Sequence, residues 1–296
     1  MNTINKMVIC ALLVMSSAAF AQKESVSAFY RYNMNIVNPA YAGVDNETIV
    51  SGTLRSQWSG IEDAPETQTV FFSTPLGHNL GIGLDVLNDK TFIEKQTYLA
   101  LDLSYKLDLG TNQSIYLGIK AGGNFYNVNT AGLQNYGVES DQALASISNF
   151  NPNIGVGAVY KNESMYVSLS VPMFLKTNRA ANKSDYAMVV SQSPQFYLSG
   201  GYDIKLNSYS TELILKPSVM MRYSKDSSVI ADFTTMLEIE NNFNIGVMYR
   251  TSNSYGSLAS ILLGKHFLLG YSFEISTMPQ LASVKNTNEI LLQYKF

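Results

Sequence analysis

The sequence predicts an all-β chain: a transmembrane antiparallel β-barrel of fourteen strands. Three observations lead there. The last ten residues, Thr287 to Phe296, alternate strictly, with Ile290, Leu292, Tyr294 and Phe296 on one face and Glu289, Leu291, Gln293 and Lys295 on the other. The same two-residue period recurs along most of the chain, and only 15% of residues are charged while Tyr and Phe number 19 and 14. Short turns and longer connections also alternate, as they do in outer-membrane barrels. A terminal strand with an apolar face needs partners on both edges, and closure onto the first strand supplies the second one.

The N-terminus comes first. Lys6 precedes an apolar run from residue 7 to 15, followed by Ser16, Ser17, Ala18, Ala19, Phe20 and Ala21. A positive start, a short apolar stretch and small residues at the end form a secretory signal, so 1–21 is expected to be cleaved. Cys10, the single cysteine, lies inside it, so the mature chain has no thiol for a disulfide or a lipid anchor. Removing Lys6 leaves 19 Lys and Arg against the 23 Asp and Glu of the whole chain, all of which lie outside the signal. So mild a balance, spread along the chain, excludes a nucleic-acid footprint.

Residues 22–46 read as irregular. Four aromatics, the Asn38-Pro39 pair and Gly43 suggest an ordered segment that tucks into the lumen or covers the near mouth, and Asn38, Pro39, Tyr41 and Gly43 are its candidate motif. A loose leader is the competing reading. The barrel itself is expected over 47–296.

Its strands are predicted at 47–58, 66–74, 79–87, 95–109, 113–127, 152–160, 165–171, 195–206, 211–223, 228–238, 242–250, 256–264, 266–275 and 287–296. In 79–87, Leu80, Ile82, Leu84 and Val86 oppose Gly81, Gly83, Asp85 and Leu87; in 95–109, leucines oppose Tyr98, Asp102, Lys106 and Asp108. Pro217 cannot donate to a ladder, so a strand start, bulge or irregularity is expected there. Residues 75–78 and 110–112 read as turns, 88–94 as a loop, and 128–151 and 172–194 as long polar excursions on the far side. An even number of strands puts both termini on one side, the periplasmic one.

No catalytic arrangement stands out. His78 and His266 are far apart beside turns, and without a mature cysteine or a His-x-x-x-His pair no metal centre or cofactor is expected. Asp85, Asp102, Lys106, Glu289 and Lys295 are expected to face the lumen, and Ile290, Leu292, Tyr294 and Phe296 to close the barrel. Paired glycines such as Gly81/Gly83 and Gly155/Gly157 would relieve crowding inside. Trp58, Gly60, Glu62, Asp63 and Pro65 form a compact first outer loop, read either as a girdle tryptophan with its turn or as a loop fixed against the mouth. Tyr136, Asp141, Phe174, Arg179 and Tyr186, on the two long connections, are candidate partner contacts.

An ordered set of fragments carries a family resemblance: Asn38-Pro39-Ala40-Tyr41-Ala42-Gly43, Trp58-Ser59-Gly60 with Ala64-Pro65, Gly81-Ile82-Gly83-Leu84, Ser104-Tyr105, Pro152-Asn153-Ile154-Gly155-Val156-Gly157, Leu169-Ser170-Val171-Pro172, Leu215-Lys216-Pro217-Ser218, Gly246-Val247-Met248-Tyr249-Arg250 and Gly270-Tyr271-Ser272-Phe273. Together they resemble the PorP/SprF family of Bacteroidetes outer-membrane proteins. Asn288 stands where the family tends to have histidine, and Glu274 where it often has aspartate. The resemblance implies a fatty-acid transporter-like barrel, not an enzyme, that acts with the type IX secretion system. It further implies export or surface anchoring of a large secreted adhesin or similar cargo through its C-terminal sorting domain, with secretion or gliding-machinery envelope proteins as further partners. An uptake channel for a small or hydrophobic solute is the alternative.

Overall fold

The computed structural model describes residues 26–129, 147–178, 191–206, 211–225, 227–277 and 286–296. The signal sequence and Tyr136, Asp141, Arg179 and Tyr186 lie outside these residues. Among the described residues the chain builds β1 (Ile49–Gln57), β2 (Glu66–Gly77), β3 (Leu80–Thr91), β4 (Glu94–Gly110), β5 (Gln113–Val128), β6 (Ile147–Asn162) and β7 (Met165–Val171). A two-residue ladder of β8 (Thr177–Asn178) and β9 (Ser191–Gln192) follows. Next come β10 (Gln195–Tyr202), β11 (Ile204–Leu206), β12 (Leu213–Ser224), β13 (Ser227–Ile239), β14 (Phe243–Arg250), β15 (Ser254–Leu263), β16 (Phe267–Ser276) and β17 (Asn286–Lys295).

With β10 and β11 as two parts of one strand, fourteen antiparallel strands close into a barrel. β17 pairs with β16 and with β1, opposite Ile49 to Gln57, and β10 pairs with both β7 and β12. Closure leaves none of these strands as a free sheet edge along its paired length, which is what a lipid environment demands.

Burial alternates as the period requires. Along β4, Leu99, Leu101, Leu103, Tyr105, Leu107 and Leu109 are exposed on the outside while Tyr98, Ala100, Asp102 and Ser104 are buried inside. Aromatics gather at both ends of the outer surface. At the loop end Phe125 meets Phe150 at 4.7 Å and Phe196 meets Tyr223 at 6.3 Å; at the turn end Tyr294 meets Phe296 at 4.9 Å. That is an apolar band with aromatic girdles. No helix among the described residues is long and apolar enough to cross a membrane, so crossing falls to the strands.

Several boundaries differ from the sequence reading. Residues 88–94 are not a loop, since β3 and β4 continue to a turn at Phe92 and Ile93. β6 starts at Ile147 and pairs with β5 to its end at Val128, so 147–151 are strand. β2 runs through Pro75 to Gly77, and the turn is His78 and Asn79, both at positive φ. The excursion after β7 contains the β8–β9 ladder.

Pro217 has the expected consequence. The β12–β13 ladder passes through it without a shift, opposite Thr235. On its other side, the pairing of β12 breaks between Ser218 and Leu215, opposite the gap between β10 and β11 at Asp203. A residue with no N–H sits where the ladder to β12 is interrupted, at the level of Tyr202 and Asp203.

Residues 26–46 are not irregular. They form short turns, a 3₁₀ turn at Tyr30–Tyr32, one α-turn at Met34–Val37 and 3₁₀ turns at Pro39–Tyr41 and Val44–Asn46, packed inside the barrel. All three buried apolar clusters lie between this segment and the inner wall. Phe29 packs with Met236, Met248, Leu258, Leu268 and Leu291; Tyr30, Met34 and Val37 with Tyr166, Tyr197 and Met220; Ala40 and Val44 with Tyr116 and Val159.

Candidate functional site: a segment seated inside the barrel

The seat begins with one row of the wall. Gly81, Ser104, Gly118, Gly157 and Ser170 are directly opposite one another across β3 to β7. All five point inward, and residues 37–42 run along them. Ser170 Oγ donates to the Val37 carbonyl at 2.7 Å, and Ser104 Oγ donates to the Ala42 carbonyl. Between these serines a Cβ at Gly157 would overlap the Asn38 side chain and one at Gly118 the Pro39–Ala40 backbone; beyond Ser104, one at Gly81 would overlap the Ala42 carbonyl. Glycine therefore lets two backbones meet, and serine supplies the donors their carbonyls need.

Asn38 is the pivot. Its Nδ2 donates to Ser168 Oγ at 2.8 Å and to the Ala158 carbonyl at 3.2 Å, while its Oδ1 accepts from the Ala40 N–H at 2.9 Å and caps the Pro39–Tyr41 turn. Gly43, at φ 67°, donates its N–H to Ser73 Oγ at 2.7 Å as the chain turns toward β1. Tyr41 sets its ring edge-on to Tyr166 at 6.5 Å.

Two ionic clusters hold the rest of the segment. In the first, Lys120 Nζ ion-pairs with Asp85 and Asp102 and donates to the carbonyls of Asn35 at 3.0 Å and Ile36 at 3.3 Å. In the second, Glu289 accepts from the Ala28 N–H at 2.8 Å, from Ser27 Oγ and from Arg55 Nη1 at 3.0 Å. The chain of charges continues from Arg55 to Glu274 at 2.7 Å, to Arg250 at 3.2 Å, to Asp232 at 2.8 Å and to Arg222 at 3.2 Å. Arg250 Nη2 also donates to the Val26 carbonyl at 3.0 Å. Three arginines balance three carboxylates, so this buried network is neutral as a whole, the condition under which buried charge is tolerated.

Arg31 makes a third tie. It pairs with Asp203, the residue between β10 and β11, and lies 5.6 Å over the Tyr166 ring. Tyr30 donates its hydroxyl to Ser218 Oγ at 2.9 Å. Burial pushes that phenol above the usual tyrosine range, with the hydrogen bonds to Ser218 and Thr234 working the other way, so it remains a neutral donor at physiological pH.

The sequence-predicted residues distribute as follows. Asn38, Pro39, Tyr41 and Gly43 belong to the seated segment, and Asp85, Asp102 and Glu289 to the two clusters. Lys106 and Lys295 keep the inward phase of their strands but sit at the turn-end rim, partly exposed, pairing with Asp108 at 2.8 Å and Glu47 at 2.7 Å. Ile290, Leu292, Tyr294 and Phe296 all face outward. Trp58 to Pro65 lies on the loop-end rim: Trp58 donates its N–H to the Asn286 carbonyl at 2.8 Å, Pro65 accepts from the Gln57 N–H at 3.0 Å and Asp63 pairs with Lys90 at 3.2 Å. Gly60, at φ 98°, makes the bend, and Glu62 is exposed. Phe174 is exposed and donates its N–H to the Ile154 carbonyl at 2.8 Å.

Sequence reasoning missed Lys120, Arg55, Arg222, Asp232 and Arg250 as lumen residues. A signal was present: Asp102 with Lys120, Asp232 with Arg250 and Arg55 with Glu289 are directly opposed across neighbouring strands, which becomes legible once register is known. Among the described residues no group of three or more His, Cys, Asp or Glu side chains could hold a metal ion.

The profile of the type IX secretion system membrane protein PorP/SprF family matches residues 19–294, nearly the whole chain. The chain belongs to the PorP/SprF family. No curated protein matches it. Among solved structures, the Ralstonia pickettii toluene transporter TbuX aligns with a TM-score of 0.51 at 11% identity, over 88% of this chain and 92% of that one. The Acinetobacter baumannii outer membrane protein Omp33 aligns with a TM-score of 0.49 at 7% identity, over 86% of this chain and 100% of that one. At such identity the likeness to TbuX is one of fold: this PorP/SprF protein is an outer-membrane barrel of the transporter-like fourteen-strand kind.

Proposed function

We propose that this barrel is a non-enzymatic partner of the type IX secretion system that supports export or surface anchoring of a large secreted adhesin or similar cargo, engaged through the cargo's C-terminal sorting domain. The observation that carries the reading, beside the family itself, is the seated segment. A barrel whose interior is occupied by its own chain, tied at three ionic points and along a Ser/Gly row, is suited to presenting its rim and poorly suited to passing solute. In this reading the termini face the periplasm, where the turn end is available to secretion or gliding-machinery proteins. The loop end, with Trp58 to Pro65, Phe174 and the long connections carrying Tyr136, Asp141, Arg179 and Tyr186, meets the cargo. A small-solute uptake channel fits less well, because it requires residues 26–46 to leave their seat.

Clean deletion of the gene tests the proposal. Loss of one large adhesin from the cell surface, restored by the intact gene, is the expected result. An unchanged surface level and anchoring of every such adhesin would refute it.

A further inference from the structure

β7, Met165–Val171, is the shortest of the fourteen strands when β10 and β11 count as one. β6 pairs with β5 from Ile147 to Asn162, but with β7 only from Val156 to Lys161. On its other side β7 meets β10 only from Tyr197 to Tyr202. Both ladders stop at defined points. At the loop end the residue after Val171 is Pro172, which has no N–H to donate. At the turn end β10 breaks at Asp203, whose N–H donates instead to the Ser164 carbonyl in the bend before β7.

The inner face adds what these short ladders lack. Tyr166, Ser168 and Ser170 are the buried side chains in the inward phase of β7, and each of them meets the seated segment. Tyr166 lies edge-on to Tyr41 and under Arg31, Ser168 Oγ accepts from Asn38 Nδ2, and Ser170 Oγ donates to the Val37 carbonyl. Asn38 also spans the seam itself: its Nδ2 lies 3.2 Å from the Ala158 carbonyl on β6 and 3.4 Å from the Leu169 carbonyl on β7, two residues directly opposite each other. One buried amide therefore ties two neighbouring strands. Arg31 holds Asp203 at the turn end of the β7–β10 ladder. The free energy of a local opening is set by the contacts it breaks, so for β7 a large share comes from the segment and not from the wall.

We propose that residues 31–41 are a clasp on β7. With Asn38 seated, β7 is closed against β6 and β10; with Asn38 out of its seat, β7 becomes the strand that opens transiently, and the β6–β7 seam is where the wall yields. Whatever lifts the segment therefore also loosens one defined side of the barrel. This goes beyond the cargo reading and does not depend on it, since it concerns the wall alone.

Amide hydrogen exchange of the purified barrel in detergent, resolved by peptide, tests the clasp. N38A should speed exchange in 165–171 about tenfold, the scale of losing one buried hydrogen-bonding group, and change 254–276 by less than about twofold. S73A, which removes only the Gly43 tie to β2, should leave β7 at the rate of the unaltered barrel. If N38A does not fold, S170A decides: it removes the Val37 tie alone and should speed exchange in 165–171 about threefold. Unchanged exchange of β7 in both N38A and S170A, equal acceleration of all strands, or an effect of S73A on β7 as large as that of N38A would each overturn the proposal.

Discussion

Replacing Arg250 by methionine is expected to destabilise the folded barrel by about 3–5 kcal/mol, the usual cost of removing one partner from a buried ionic network. Arg250 bridges Asp232 and Glu274 and also holds the Val26 carbonyl, so its loss leaves both carboxylates short of a counter-charge in the interior. The remaining arginines cannot take over both, because Arg222 reaches Asp232 and Arg55 is shared between Glu274 and Glu289. Combining the substitution with Glu274→Gln should recover part of the loss, since it removes one of the uncompensated charges. Thermal unfolding in detergent, read by the loss of strand signal, gives both numbers; equal stability of R250M and the unaltered barrel would mean that the network is not formed.

Gly118→Val should act on the segment and leave the barrel standing. Valine suits a strand, and only the inner surface at this position is crowded: a Cβ there would overlap the backbone of Pro39 and Ala40, which has no flexible end to move aside. The expected cost is about 1–3 kcal/mol, from overpacking, and residues 26–46 should become open to protease while the strands remain protected. Gly52→Val is the control, because a Cβ at Gly52 meets nothing closer than 3.4 Å. If G118V protects the segment as well as G52V does, the Ser/Gly row is not its seat.

Much of the fold was legible in the sequence because lipid imposes a strict rule on the outside of each strand. Leu99 to Leu109 or Ile290 to Phe296 can be read as alternating faces without any knowledge of their neighbours. The errors fall where that rule lapses. Residues 88–91 and 147–151 belong to the tall side of the barrel, built by β3 to β6, beyond the uninterrupted apolar run of Leu99 to Leu109, so a polar stretch such as Asn88-Asp89-Lys90-Thr91 resembles a loop although it pairs with Glu94 to Thr97.

The site was only partly legible, for a different reason. Asn38-Pro39 and Gly43 announced an ordered segment, and the glycines at 81 and 157 announced a crowded interior. What joins them is long-range: the carbonyls of residues 35–42 find their donors on Ser104, Ser170 and Lys120, far away in sequence. Leu291 was a missed clue. It is an apolar residue in the polar phase of the last strand, fully buried because Phe29 packs against it.

Residues 26–46 occupy and close the barrel, and single-channel conductance in planar bilayers reads that closure. The mature barrel should show no steady conductance, and a barrel lacking residues 26–43 should open a stable pore. Steady conductance of equal size from both proteins would contradict the account.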